Sequence, residues 1–456
     1  MVFSVQELIR QIRFAAMSFP DRRTGKNTRY SMEDVALSAF SVFFTQSPSF
    51  LAFQRAMQEQ TGRNNANSLF TVHSLPSDHQ IRTVLDGVPP DRLFPIFQWC
   101  FAYLVSDGGI ESFRSELGYL LALDGTGYFS SEAVHCKNCL TKTDKKTNKV
   151  TYYHSVLTPV IIKPKDEHVL TLTPEFIKTE DGNTKQDCEN KAAKRWLLTH
   201  GGEYGRRLMA TGNDVTILGD DLYSRQPIMQ TIIARKFHYI LVCKRESHPW
   251  LYDWIDQLEV GERAWQKHTV IREEWNGIYH RITTINYANN IPLKDSKDSL
   301  FVNFAEVTVT KKEDGSQLYR NAFITDHKIT QDNAATIVLS GRARWKIENE
   351  NNNTLKTKGY HFEHNFGHGK QTLSLVLLTL ILLAFLFHTL LDLYCVAYQK
   401  LCAIIRRQFF FNGIRELTQY FYVVNWDHLF TFMQEARTHQ FILPTVPFAA
   451  LPSAPP

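Results

Sequence analysis

Cysteine is scarce in this chain. Seven residues in 456, an odd number at irregular spacing, do not make a disulfide framework. A reducing cytosol is the simpler setting. Charge of one sign is also limited, and a net +5 excludes a polybasic coat protein. Met1 to Arg13 carries charges but no sustained apolar region, so no signal peptide is expected. There are no internal repeats. Long apolar runs are missing too, with one exception. Thr372 to Leu391 is apolar apart from Ser374, Thr379, His388 and Thr389. At ~20 residues it is long enough to span a bilayer. No second comparable run accompanies it and its flanks are soluble in character. A helix covered on all sides is therefore expected, with a single-span membrane protein as the lesser alternative.

The chain does hold ample material for packed cores, with 43% hydrophobic and 12% aromatic residues. Its length suggests two to four domains. Residues 1–115 read as helical. Ser31-Met32-Glu33-Asp34 offers an N-cap and an acidic first turn, with apolar residues at helical spacing through Phe44. Ser77 or Asp78 caps a second helix that Gly87 stops before Pro89-Pro90, and a third runs from Asp91 to Leu104. Such a module can dock a helix in a DNA groove or serve as a packing or dimerisation unit. From 118 the pattern alternates. Strands are expected at 118–124, 151–163, 168–173, 214–219 and 238–243, and helices at 185–199, 225–235 and 248–258. This order predicts an α/β fold, a mixed sheet with helices packed on it. Residues 259–326 turn β-rich, and the Pro-rich end from Leu443 reads as a disordered tail.

Two acids stand out. Asp124 ends the apolar run Tyr119–Leu123, and Asp220 ends Val215–Gly219. An acid closing a buried strand is costly unless something positive meets it. Two such acids on neighbouring strands, joined by a glutamate from a helix, would make a pocket of carboxylate oxygens suited to Mg²⁺. Two metals held that way are the working parts of phosphodiester chemistry. Glu348 in Arg344-Trp345-Lys346-Ile347-Glu348 is the candidate third acid, with Glu350 as its rival. Arg344 lies four residues before Glu348 on the same helix face. It is a candidate phosphate ligand, against the plain reading of an Arg–Glu pair.

These pieces resemble the DDE transposases of bacterial insertion sequences. Leu123-Asp124-Gly125-Thr126 matches the first aspartate and Leu218-Gly219-Asp220-Asp221-Leu222-Tyr223 the second. Arg344 to Asn349, continued by Leu355 to His361, matches the segment of the third acid. The resemblance covers roughly residues 115–395, and the long gap before Glu348 fits the subgroup with a β-rich insertion. It implies a ribonuclease-H-like mixed sheet flanked by helices, with Asp124, Asp220 and Glu348 as catalytic residues holding two Mg²⁺ (or Mn²⁺) ions. It also implies double-stranded DNA partners (terminal inverted repeats and target), a homodimer in the synaptic complex, and a cytoplasmic, nucleoid-associated location without a membrane. The implied division is 1–115 helical, 116–258 and 327–395 catalytic, 259–326 insertion and 396–456 C-terminal. In two places the chain departs from the subgroup's Y-x2-R-x3-E-x6-K signature. Gly341 stands where Tyr is expected, and Leu355 where Lys is expected, with Lys356 one residue late. Either the helix bulges after Glu348 or Lys356 does another job. These departures keep open a catalytically inactive DNA-binding protein.

Lys356 and Lys358, and Lys142, Lys145 and Lys146 with Lys137 and Lys149 nearby, are candidate DNA-backbone contacts. Cys136-Lys137-Asn138-Cys139, with Cys188 and His135 or His154, has only one C-x2-C pair where a zinc site needs about four ligands; reduced, unliganded thiols are expected, with zinc as the lesser alternative. His361, His364 and His368 show metal-like spacing without an H-E-x-x-H motif, so hydrogen bonding with Glu363 and loop backbone is the expectation. Trp275 is expected in a small core rather than stacked on an extruded base.

Overall fold

A computed structural model describes residues 4–24, 28–58, 60–181, 185–258 and 268–438. The Pro-rich tail lies outside them.

The fold is mixed α/β. Strands β1 (Tyr119–Ala122), β2 (Gly125–Ser131), β3 (Leu140–Thr143), β4 (Val150–Leu157), β5 (Val160–Ile162), β6 (Val169–Thr171) and β7 (Glu175–Phe176) come first. After a helical stretch follow β8 (Val215–Gly219), β9 (His238–Val242), β10 (His268–Trp275), β11 (His280–Pro292), β12 (Phe301–Lys311) and β13 (Gln317–Thr325). Nine of them form one sheet in the order β10-β11-β12-β13-β9-β8-β1-β5-β6. β1, β8 and β9 run parallel; β5 and β6 continue antiparallel on one side, and β13 joins β9 antiparallel on the other. Every residue of β1 and β8 is buried, as expected of strands covered on both faces.

The run 151–163 is not one strand. Pro159 has no N–H to give a ladder, and the chain breaks there into β4 and β5. β4 pairs with β2, β3 and β7 in a small separate sheet, whereas β5 belongs to the large one. The β-rich residues from His268 to Thr325 form an antiparallel meander that extends the large sheet beyond β9.

The described residues before β1 are mostly helical, with the expected caps. The Ser31 side chain accepts from Asp34 N, and Ser77 makes a reciprocal capping box with Gln80. Each cap satisfies N–H groups that a helix start leaves orphaned. The apolar run becomes the helix Leu373–Tyr394, buried along most of its length. It packs on β6 at the sheet edge, and the helix Met32–Phe44 lies against it, with Phe40 meeting Phe387 at 5.4 Å. The cover is thus as much helical as sheet. Thr379 Oγ1 donates to Leu375 O at 2.8 Å and Thr389 Oγ1 to Phe385 O at 3.2 Å. Tyr360 OH and His388 Nδ1 lie 2.7 Å apart, while His388 Nε2 has no hydrogen-bond partner among the described residues.

Candidate functional site

Register brings the two aspartates together. Ala122 pairs with Leu218 across the parallel strands β1 and β8, and Leu123 N donates to Leu218 O at 2.9 Å. Asp124 and Asp220 each stand two residues further on, at the same end of adjacent strands. The backbone then diverges. Asp124 O accepts from Thr158 N at 3.1 Å, while Asp220 turns back on itself, its Oδ1 accepting Leu222 N at 2.9 Å. The neighbouring Asp221 is committed elsewhere, accepting Lys244 N at 2.8 Å and the Ser247 hydroxyl.

The third acid arrives on a widened helix. After the helix Ala334–Arg342, residues Ile347–Asn353 form a π-helical segment. That is the bulge which a one-residue displacement of Lys356 calls for. The position the signature assigns to Lys is Leu355, fully buried in the core. Lys356 instead pairs with Glu363 at 2.8 Å. The missing Tyr also has a physical cause. A Cβ on Gly341 would lie 2.8 Å from Phe323 Cδ1 and 2.9 Å from Ile240 Cγ2, so this helix touches the sheet where a side chain would stand.

The segment is pinned to the sheet by asparagines. Asn352 Nδ2 donates to Asp124 Oδ2 at 2.9 Å, and Thr158 Oγ1 donates to Asn352 Oδ1 at 3.1 Å. Asn351 bridges to Asn352, and Thr171 donates to Asn351. Asp124 is largely buried, and its pKa is pushed up to about 7. Burial is the first cause, then the charge of Glu189; Arg344 opposes, and Asp220 and Glu348 add to the rise. The charges of Asp220 and Glu348 thus both reach Asp124. Glu348 is itself exposed and pairs with Arg344 at 2.7 Å. Among the described residues, the oxygens of Asp124, Asp220 and Glu348 do not form a group within 4.8 Å of one another.

Glu189 is the acid the sequence reading missed. It sits on the helix Lys185–Trp196, only 1% exposed. Its Oε1 accepts Gly125 N at 3.1 Å and Tyr223 OH at 2.8 Å. A Cβ on Gly125 would come within 2.7 Å of the Glu189 carboxyl, which explains the glycine after Asp124. A signal existed. Cys188, Ala192, Ala193 and Trp196 are buried at helical spacing, and Glu189 falls on the same stripe.

An open cleft of about 1110 Å³ starts at Gly125 and is lined by Lys142, Tyr153, Lys356 and Glu363 among others. Lys145 and Lys146 lie in the exposed β3–β4 turn, where Asp144 Oδ1 accepts Lys146 N at 2.8 Å, and Lys358 is exposed. Trp275 is not in a core: it is 57% exposed and lies against His280 across the hairpin.

The thiols are free, and two of them gather with histidines. Cys136 and Cys139 meet His154 and His368, with donor atoms of all four within 4.8 Å of one another. Cys188 instead packs with Leu140, Ile177 and Ala192, and His135 stacks on Tyr152. Nor does Glu363 hydrogen-bond the histidines as expected, being paired with Lys356. A scan against protein-family models and a search of curated proteins find no match to this sequence.

Proposed function

We propose that this chain is a metal-dependent DNA transposase of the DDE type, built on a ribonuclease-H-like catalytic fold. The fold reading is supported by the five strands β9-β8-β1-β5-β6 at one end of the large sheet. β1 has two antiparallel neighbours in succession on one side and two parallel strands, β8 and β9, on the other. The observation that carries the function is Asp124 beside Asp220 at the ends of adjacent parallel strands, with Glu348 and Arg344 acting on the same buried carboxylate.

The donor set suits a hard divalent cation, because it consists of carboxylate oxygens. Burial and three nearby acids against one arginine leave Asp124 with a surplus of negative surroundings, which is what pushes its pKa up. Asp124, Asp220 and Glu348 would hold two Mg²⁺ (or Mn²⁺) ions. Bound there, such ions supply an activated oxygen nucleophile and charge neutralisation at the phosphate. The chain's own groups do the rest. Asn352 fixes the orientation of Asp124. Arg344 pairs with Glu348 and would offer its remaining guanidinium N–H groups to a phosphate oxygen. Lys142 and Lys356 line the adjoining cleft, and with Lys145, Lys146 and Lys358 they would track the backbone of double-stranded DNA. Element ends and target DNA are the substrates, a homodimer pairs the ends, and the cytoplasm is the compartment.

A second reading, a catalytically inactive DNA-binding protein of the same fold, is favoured by one observation: Glu348 is exposed and turned to Arg344. Incubating the purified chain with Mg²⁺ and DNA carrying the inverted repeats that flank its gene separates the two. Nicking at the repeat ends, lost in Asp124→Asn, Asp220→Asn and Glu348→Gln with end binding retained, is expected. Binding without nicking in the wild type overturns the enzyme reading, and neither binding nor nicking overturns both.

A further inference from the structure

We propose that Cys136, Cys139, His154 and His368 form a structural zinc site that clasps the small sheet to the loop before the buried helix.

The distances are those of a tetrahedron. Cys136 Sγ to Cys139 Sγ is 3.9 Å, Cys136 Sγ to His154 Nε2 is 3.5 Å, and Cys139 Sγ to His154 Nε2 is 3.4 Å. Cys139 Sγ to His368 Nε2 is 3.4 Å, His154 Nε2 to His368 Nε2 is 3.2 Å, and the sixth edge is within 4.8 Å. An ion about 2.3 Å from sulfur and about 2.0–2.1 Å from nitrogen sets tetrahedral edges of about 3.8 Å for S–S, 3.6 Å for S–N and 3.3 Å for N–N. The sulfurs are far beyond the ~2.05 Å of a disulfide.

The surroundings suit a metal. Cys136 and Cys139 close a tight turn between β2 and β3, in which Cys139 N donates to Cys136 O at 3.2 Å. Within it, Asn138 N points at Cys136 Sγ and Cys136 N at Cys139 Sγ, each at 3.4 Å. N–H groups aimed at sulfur stabilise thiolates. His368 Nδ1 lies 3.0 Å from Gly369 O; donating there, it leaves Nε2 as the lone pair facing the cluster. Two thiolates and two imidazoles select zinc over the hard ions that carboxylates bind. On binding, the two thiols release their protons to solvent.

The clasp spans the candidate acid site. β2 begins at the residue after Asp124, and His368 follows the segment that carries Glu348. Asn138 Nδ2 adds a second tie, donating to Gln371 O at 2.6 Å. The zinc reading stands on this geometry alone and does not depend on any action on DNA.

The test is elemental analysis of the full chain purified without chelator. One equivalent of zinc is expected, retained in Cys188→Ser and Cys402→Ser and lost to background in Cys139→Ser and His368→Ala. Because losing a structural ion can unfold the ligand variants, the wild type is also exchanged with Co²⁺. The visible bands of tetrahedral cobalt and a thiolate-to-cobalt charge-transfer band are expected. Wild-type protein that carries no zinc and takes up Co²⁺ without those bands overturns the proposal. So does a Cys188→Ser variant as empty as Cys139→Ser.

Discussion

Asn352 Nδ2 donates to Asp124 Oδ2 at 2.9 Å, across 228 residues of chain. This bond joins the strand-end acid to the widened helix of Glu348, so the geometry of the site depends on a residue that carries no charge. Asn352→Leu keeps the branched shape but leaves Asp124 Oδ2 and Thr158 Oγ1 without this partner. Removing one side of a buried hydrogen bond costs about 1–3 kcal/mol. Cleavage should fall while end binding persists, as read by nicking and gel-shift assays on the same protein. Wild-type nicking in a folded Asn352→Leu chain would remove the asparagine from the mechanism.

Glu189 separates a structural acid from a reacting one. Glu189→Gln retains an oxygen to accept Gly125 N and Tyr223 OH, so the fold should survive. Glu189→Ala strands both donors in a buried place and should destabilise the chain by about 1–3 kcal/mol per lost partner. Urea unfolding midpoints check the order wild type, Gln, Ala. Equal midpoints for Gln and Ala would mean that these two hydrogen bonds contribute nothing net.

Much of this arrangement was legible because it is written locally. Tyr119–Leu123 and Val215–Gly219 are short apolar runs ended by acids, and Ser31 and Ser77 announce their helices within four residues. The run 151–163 reads as one strand, which misses the break at Pro159 into β4 and β5. What stayed hidden needed partners far away in sequence. His368 meets His154 across 214 residues, and no spacing rule links them. The apolar stripe of its helix hints that Glu189 is buried, but its partners Gly125 and Tyr223 come from two other elements. Gly341 reads as a departure from a motif until the sheet contact beneath it is known.

His168 makes stability depend on pH. Its ring bridges Asp392 and Asp166, each at 2.8 Å. The Asp392 hydrogen bond, against the opposing effect of burial and with help from Asp166, raises its pKa to about 9. The unfolded value is about 6.5. A raised folded pKa gives stability fully present below the unfolded pKa and lost as pH climbs through the folded one. The ring is more than a third exposed, so screening limits the effect to about 1 kcal/mol or less. The melting-temperature gap between wild type and His168→Gln should be widest near pH 6 and close as pH rises past about 9. A gap that stays constant over that range would show that the bridge acts through packing alone.

The helix Leu373–Tyr394 is held at its start by a single carboxylate. Asp86 Oδ1 accepts Gln371 N at 2.9 Å, Thr372 N at 3.1 Å and Leu373 N at 3.0 Å, and Oδ2 accepts Lys370 N at 2.9 Å. These are N–H groups at the positive end of a 22-residue helix, where a negative charge is favourable. Asp86→Ala should cost roughly 1–2 kcal/mol, the upper range for losing a cap. Leu382→Asp tests the other end of the scale. Leu382 is fully buried, and an unpaired charge there is far costlier than a lost cap. The expected order in thermal melts is wild type, then Asp86→Ala, then Leu382→Asp, which should not fold. The same pair of variants tests the membrane alternative. A core helix predicts wild-type and Asp86→Ala protein that stays in solution without detergent. A wild-type chain that pellets with membranes and resists alkaline carbonate extraction would mean that the helix is a span, and its burial against Met32–Phe44 and β6 would have to be given up.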